Sequence, residues 1–444
     1  MLEGIDNGLD NLIKRGIRGI VLGPLWCAEV VKHPGEGSPY GPFHEEIYRE
    51  SLRKNVGEKT IYIKWFHAFE PDLELYRRTR IKPYTRPPME KNELDPYAQI
   101  IKTAKEKGMR ILILYITATP SVVILPEGST EIRDIAGNKM GFSCINDPEL
   151  PEYTRAYLHD IYQHYPEIDG FAVDHIEFPS YTLAEVFTCF CDGCRTKASE
   201  LGYSFERLKA TAKKLYNCLS VMKSRDVQAI LETRRGILDC FELLLRDTSF
   251  IDWMRFRMES TNSFATKVRS FIKEMNPKLE VNIDAVTTSF ALPSAADFHS
   301  LRDICDSINP KLYITSDFWG WKGKITEYVK TLTGINPELS EEAGLSLLYK
   351  IFGLDGLSEI KSLKELNERP ISYETLLSEL NKATAWFGDK SRVRPWIRID
   401  ISAEELHNML MAIKHANVGS PLIRMYDVAP DEKIEIISKE LNLS

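Results

Sequence analysis

Asp169-Gly170-Phe171-Ala172-Val173-Asp174-His175-Ile176-Glu177-Phe178-Pro179 is a short apolar run that opens on a glycine and closes on two acids and a proline. A run this apolar, bounded by turn formers, reads as a strand buried on both faces, the kind used in parallel sheets. Its acids fall at the C-terminal end, where α/β barrels collect their chemistry. A strand continuing straight past Asp174 would send Asp174 and Glu177 to opposite faces. Phe178-Pro179 turns the chain instead, so both acids are expected to line one pocket.

Seven further runs of β-branched or apolar residues share this pattern and are followed by helical periodicity. In order, the eight are Arg18–Leu22, Thr60–Trp65, Arg110–Tyr115, Gly170–Asp174, Leu279–Ile283, Lys311–Ile314, Val393–Arg398 and Leu422–Tyr426. Helices are expected over 95–107, 151–164, 263–274 and 403–416. The count and alternation predict an α/β fold, a (β/α)8 TIM barrel with helical insertions after strands 4 and 6. Residues 1–444 then form a single catalytic barrel, with 203–262 and 322–390 as insertions; the rival is a separate small helical domain.

Composition narrows the partners. A net charge of −7 offers no general attraction to phosphate backbones, and Arg77-Arg78-Thr79-Arg80 is too short for a nucleic-acid patch. No stretch reaches the ~18 apolar residues of a membrane span, and Met1-Leu2-Glu3-Gly4-Ile5-Asp6 lacks a secretory layout, so a cytoplasmic protein is expected. Glutamine occurs only at 99, 163 and 228 while Ile, Lys, Glu and Arg abound, a composition that leans toward a thermophile.

The residues closing the strands are acids and aromatics. Asp174, Glu177 and Asp317 are the candidate catalytic groups. Trp26, His67, Tyr115, Asp284, Trp319, Trp321, Arg398, Asp400 and Asp427 are candidates for substrate binding. Carboxylates gathered with flat rings suit cleavage of a glycosidic bond: one acid protonates the leaving oxygen, a second carboxylate attacks or activates water, and rings stack on sugars. Trp319 and Trp321 could equally be core beneath the long insertion. A strand-end acid could equally serve a salt bridge. No H-x-H pair, glycine-rich phosphate loop or G-x-S-x-G elbow competes with the carbohydrate reading.

Just downstream lies Cys189-Phe190-Cys191-Asp192-Gly193-Cys194, which with Cys144 offers four thiolates to one tetrahedral cation. Four thiolates leave no open position, so a structural zinc is expected, pinning the loop after the fourth strand to the loop after the third; iron would fit the same spacing. Cys27, Cys218, Cys240 and Cys305 read as buried thiols.

Several of these stretches resemble glycoside hydrolase family 42 β-galactosidases. Tyr115-Ile-Thr-Ala-Thr-Pro120, Pro126-Glu127, the Gly137-to-Gly141 turn, Cys144-Ile-Asn-Asp-Pro148, Tyr153-Thr-Arg155 and the Cys189–Cys194 run follow that family's order over roughly 109–203. The step from Cys144 to Cys189 is similar to the spacing of its zinc ligands. The family ends its fourth strand in Asp-Asn-Glu, where this chain reads Asp174-His175-Ile176-Glu177. It closes its seventh strand with a nucleophilic Glu, where this chain has Arg398-Ile399-Asp400. Asp169–Asp174 with Phe178-Pro179, and Arg394-Pro-Trp-Ile397, resemble uncharacterised glycoside-hydrolase-like barrels. That resemblance implies Asp174 as nucleophile and Asp317 or Glu177 as acid/base. The expectation is a glycoside hydrolase acting on a carbohydrate, possible as a homo-oligomer. Its rivals are a catalytically degenerate carbohydrate-binding barrel and a non-hydrolytic carbohydrate-active barrel enzyme.

Overall fold

The computed structural model describes residues 4–23, 25–31, 38–39, 62–83, 95–117, 127–232, 245, 247–424 and 431–441. Its centre is a curled parallel sheet of seven strands that lie side by side in chain order: Gly19–Leu22, Arg110–Ile116, Gly170–Asp174, Glu280–Ala285, Ser307–Leu312, Trp396–Arg398 and Leu422–Arg424. Each neighbour pair is parallel, and Asp174 stands level with Ile116. Gly170 permits the tight third-to-fourth pairing, because a Cβ there would collide with the Glu280 backbone.

The eight-stranded expectation needs correcting at its second member. Tyr62–His67 does not enter this sheet; it pairs antiparallel with Trp26–Val31 over six positions and with Ser38–Pro39. Gly19–Leu22 therefore bonds directly to Arg110–Ile116. An antiparallel ladder needs only a returning chain, whereas parallel insertion needs a helical crossover, and no helix is seen among the described residues between Trp26–Val31 and Tyr62–His67. Among the described residues the sheet also stays open between its first and last strands. The final helix, Asp431–Glu440, lies across that side: Ser438 Oγ donates to Arg15 O at 2.8 Å and Lys433 Nζ donates to Ile399 O at 3.0 Å.

Among the described residues both long gaps are helical. Residues 203–262 supply Phe205–Val221, Ser224–Glu232 and the start of the 27-residue helix Ser249–Met275, of which the expected helix 263–274 is the end. Residues 322–390 supply Trp321–Ile335, Glu341–Phe352, Leu363–Glu368 and Tyr373–Phe387. The helices Pro96–Glu106, Leu150–His164 and Ala403–Ala416 lie where periodicity predicts them; Asp95 and Ser402 cap two of them. None of the described helices is long and apolar enough to cross a membrane.

The inner face of the sheet is partly polar. Asn282 accepts from Ser307 Oγ (2.6 Å), Ser307 also reaches Asn309 Oδ1 (3.2 Å), and Asn309 Nδ2 donates to Asp284 (2.8 Å), all four residues being buried. Below them Glu280 pairs with Arg110 and, at 3.8 Å, with Arg394. This ladder of side chains links the floor of the sheet to the acids at its rim.

Candidate active site and thiol cluster

The Gly170–Asp174 strand is buried at every residue, and the chain turns sharply just beyond it. His175 makes that turn with φ 58°, a left-handed conformation that costs an L residue about 1–2 kcal/mol. Thr117 holds it in place, its Oγ1 donating to the carbonyls of Asp174 (3.0 Å) and His175 (2.5 Å), while the His175 amide donates to Asp174 Oδ1 at 2.7 Å. Phe178 N then bonds Ser294 O at 3.0 Å. The turn thus begins at His175, three residues before the Phe178-Pro179 signal. Glu177 and His175 come to line one small recess with Phe142, Tyr181 and Val286.

Against the cost of burial, three buried carboxyl groups, Asp174, Glu177 and Asp284, act electrostatically on the Lys311 ammonium and raise it. Lys311 Nζ is bonded directly to Asp174 Oδ1, and His175 Nε2 lies 3.6 Å from Asp174 Oδ2. Burial alone would push the Asp174 carboxyl up, but His175, Lys311 and Arg424 outweigh it and hold it at about 2. Burial pushes His175 down to about 4, so at neutral pH its ring is uncharged. Glu177 is raised by burial and by the Asp174 charge, against the pull of Lys311 and Lys324, and its Oε1 has no hydrogen-bond partner. Asp284 is pushed up to about 7 by burial and by Asp174. Burial and Lys311 lower Lys324 to about 8; its ammonium sits 4.7 Å from the Tyr181 ring centre.

Asp284 gives a prediction about stability. Its native carboxyl keeps a proton that the unfolded chain surrenders near its ordinary value of 3.8, so this contribution is full below that pH and is lost as pH rises to about 7. Asp284→Asn should melt at or above the wild-type temperature at pH 8, by roughly a few degrees, and lose that advantage at pH 4. A variant that melts lower than wild type at pH 8 would mean the attraction of Lys311 for the Asp284 charge outweighs the burial.

The remaining candidates separate by environment. Asp317 is engaged by the Arg398 guanidinium at 2.5 Å and accepts from the amides of Trp319 (3.0 Å) and Gly320 (3.2 Å). Arg398 also grips Asp400, through Nε at 2.9 Å. Trp319 is half-buried, edge-on to Tyr181 (4.7 Å between ring centres) and near His175 (5.5 Å), so it packs against two residues that line the recess. Trp321 is fully buried and is core. Tyr115 is also buried, its hydroxyl 2.8 Å from Thr154 on the flanking helix, on the outer side of the sheet. The side chains of Trp26, His67 and Asp427 lie outside the described residues. Sequence reading passed over Lys311, Lys324, Arg424 and His175. The alternation Ser307, Asn309, Lys311 on one strand is the signal that could have found Lys311.

Behind the recess the four cysteine thiols form a buried group that could hold a metal ion, with all four sulfurs within 4.8 Å of one another. Four sulfurs at ~2.3 Å from one cation would stand ~3.8 Å apart, so the group is close to a closed tetrahedral shell. Each sulfur also receives one N–H: Asn146 N to Cys144 (3.4 Å), Arg133 N to Cys189 (3.4 Å), Cys194 N to Cys191 (3.5 Å) and Asn146 Nδ2 to Cys194 (3.4 Å). One donor per sulfur suits thiolates. Gly193 lets the loop close on its partner, since a Cβ would come within 2.5 Å of Asn146 O. Of the other thiols, Cys305 is buried as expected, but Cys218 is exposed, on the part of the Phe205–Val221 helix that projects from the core.

No family model matches the sequence, and no curated protein does. Solved structures similar to the chain include the β-galactosidase of the haloarchaeon Halorubrum lacusprofundi (TM-score 0.46, 12% identity, 80% of this chain and 51% of that one). They also include the β-galactosidase of Marinomonas ef1 (0.32, 11%, 73% and 66%) and the catalytic domain of β-amylase from Paenibacillus polymyxa (0.40, 9%, 78% and 85%). The chain spans about half the length of the first and just under two thirds of the second.

Proposed function

We propose that the protein hydrolyses glycosidic bonds at the C-terminal edge of its parallel sheet, with Asp174 as the ionised carboxylate and Glu177 as the proton donor. The observation that carries this is the divergence of two buried carboxyl groups three residues apart: one held at about 2 beside Lys311, the other raised, on a residue that lines the recess and with one buried oxygen free of any hydrogen bond. Environments that push paired carboxyls apart are how one site supplies both an acid and a base at neutral pH. Asp284 lies in the same charge cluster and is proposed to bind a sugar hydroxyl, and Trp319 to form an apolar wall against the ring. Asp317, Arg398 and Asp400 act as an ion-paired brace for the Trp319 turn, and Asp317 supports rather than performs the chemistry. The four thiols hold a structural zinc that fixes the loop running from the strand end to the cysteines.

The test is hydrolysis of a panel of aryl glycosides and oligosaccharides by wild type beside Glu177→Gln. A proton donor predicts that Glu177→Gln loses most activity on poor leaving groups and much less on activated aryl glycosides, and that it removes the alkaline fall in the pH–rate profile. Equal activity of the two proteins on every substrate would move the acid elsewhere. Asp317→Asn should lower the melting temperature while changing kcat less than about tenfold; a loss of about 10³-fold would restore it to the catalytic pair.

The second reading is a carbohydrate-binding barrel without turnover. It is favoured by the direct Lys311–Asp174 bond, which ties up the carboxylate that would attack. Sugar binding by wild type with no hydrolysis across the panel would select it.

A further inference from the structure

We infer that Arg257 is the buried counter-ion of the metal–thiolate centre and couples that centre to the loop carrying Glu177. The inference rests on reading the four cysteines as a metal site.

Arg257 lies on the Ser249–Met275 helix and is 0% exposed, yet its Nε, Nη1 and Nη2 have no hydrogen-bond partner. A buried guanidinium without an anion is among the costliest arrangements a protein can hold. The groups that act on it electrostatically are Tyr328, Cys194 and Cys189. Tyr328 is no anion, because burial raises its phenol and the hydroxyl donates to Ser180 O at 2.6 Å. That leaves the cysteines. Three residues along the same helix face, Ser260 Oγ accepts from Asn146 Nδ2 at 3.1 Å, the group that also reaches Cys194 Sγ. This face of the helix is therefore applied to the thiol cluster.

The charges complement each other. Four thiolates around a divalent cation carry −2 in a buried setting, and amide donors soften that charge without cancelling it. Arg257 supplies one positive charge where no other cation is bonded to the group among the described residues. Its guanidinium also lies 4.8 Å from the ring centre of Phe178, the residue after Glu177, and 5.4 Å from that of Trp253. The guanidinium thus stands on the helix face that meets the thiol cluster and against the ring of the residue after Glu177.

The test is zinc affinity by competition with a chromophoric chelator, with melting temperatures in zinc and in chelator, for wild type, Arg257→Met, Arg257→Gln and Arg257→Lys. Arg257→Met and Arg257→Gln should bind zinc about 10- to 100-fold more weakly, while their metal-free forms melt no lower than metal-free wild type, since an unpaired buried charge has been removed. Arg257→Lys should bind zinc within about threefold of wild type, because the charge remains. Neutral variants that bind zinc as tightly as wild type would overturn the inference. If both neutral variants fail to fold, Arg257→Lys decides: near-native affinity supports the counter-ion, and a loss of about tenfold or more assigns Arg257 to ring packing and overturns it. Wild type that takes up no zinc, iron or other divalent cation would instead refute the metal reading on which all of this rests.

Discussion

Asp174→Asn should reduce turnover of any glycoside that the wild type cleaves by about 10³-fold or more, with little change in the folded structure. The substitution keeps the shape of the side chain and its hydrogen bond to the His175 amide while removing the negative charge. That charge is held by Lys311 and Arg424 against the cost of burial, so the site spends cationic groups to keep Asp174 ionised. On the proposed mechanism, losing it removes the group that would face the developing positive charge at the sugar carbon, about 4 kcal/mol of barrier lowering at 10³-fold. Two accompanying signs separate this from general damage. KM should change much less than kcat, and Glu177 should titrate lower once the neighbouring charge that raises it is gone. Full activity in Asp174→Asn would sink the assignment.

Cys191→Ser should abolish tight metal binding and destabilise the protein by several kcal/mol, the largest stability effect expected of any single substitution here. Serine stays protonated at neutral pH and is a poor ligand, leaving a three-thiolate site with an incomplete tetrahedral shell. Apart from the sulfurs the cysteine loop is held by the Phe190 ring against Phe205 and by the Phe190 amide on Arg133 O (2.9 Å), while its side-chain link to the Cys144 segment is the Asn146 Nδ2–Cys194 Sγ bond. Chelation of the wild type should produce the same drop in melting temperature, and chelator should then have no further effect on Cys191→Ser. Full metal occupancy by elemental analysis of Cys191→Ser would remove Cys191 from the ligand set.

Much of this was legible in the chain because buried parallel strands announce themselves as apolar runs with polar closures. Seven of the eight expected strands lie side by side in order. Thr60–Trp65 has the same apolar signature, but such a signature states burial and not direction of pairing; its antiparallel partner, Trp26–Val31, carries no mark distinguishing it from loop. The cysteines were readable from spacing alone. Asp174 and Glu177 were readable as acids at the strand end, but the depression of Asp174 draws on Lys311, 137 residues downstream, and no local pattern reports that contact. Arg257 was invisible for the same reason: on its own helix it looks like one more solvated charge.

The ladder Asn282–Ser307–Asn309–Asp284 has a consequence for how this sequence can drift. Apolar interiors tolerate exchanges of similar volume, whereas each rung here needs a donor facing an acceptor, on the adjacent strand for two of the three and along the same strand for Ser307–Asn309. A single replacement orphans its neighbour, so these positions can only be exchanged in matched sets. The inner wall should therefore evolve in steps, holding one combination of side chains for long periods and then passing to another, while the surrounding apolar shell changes gradually.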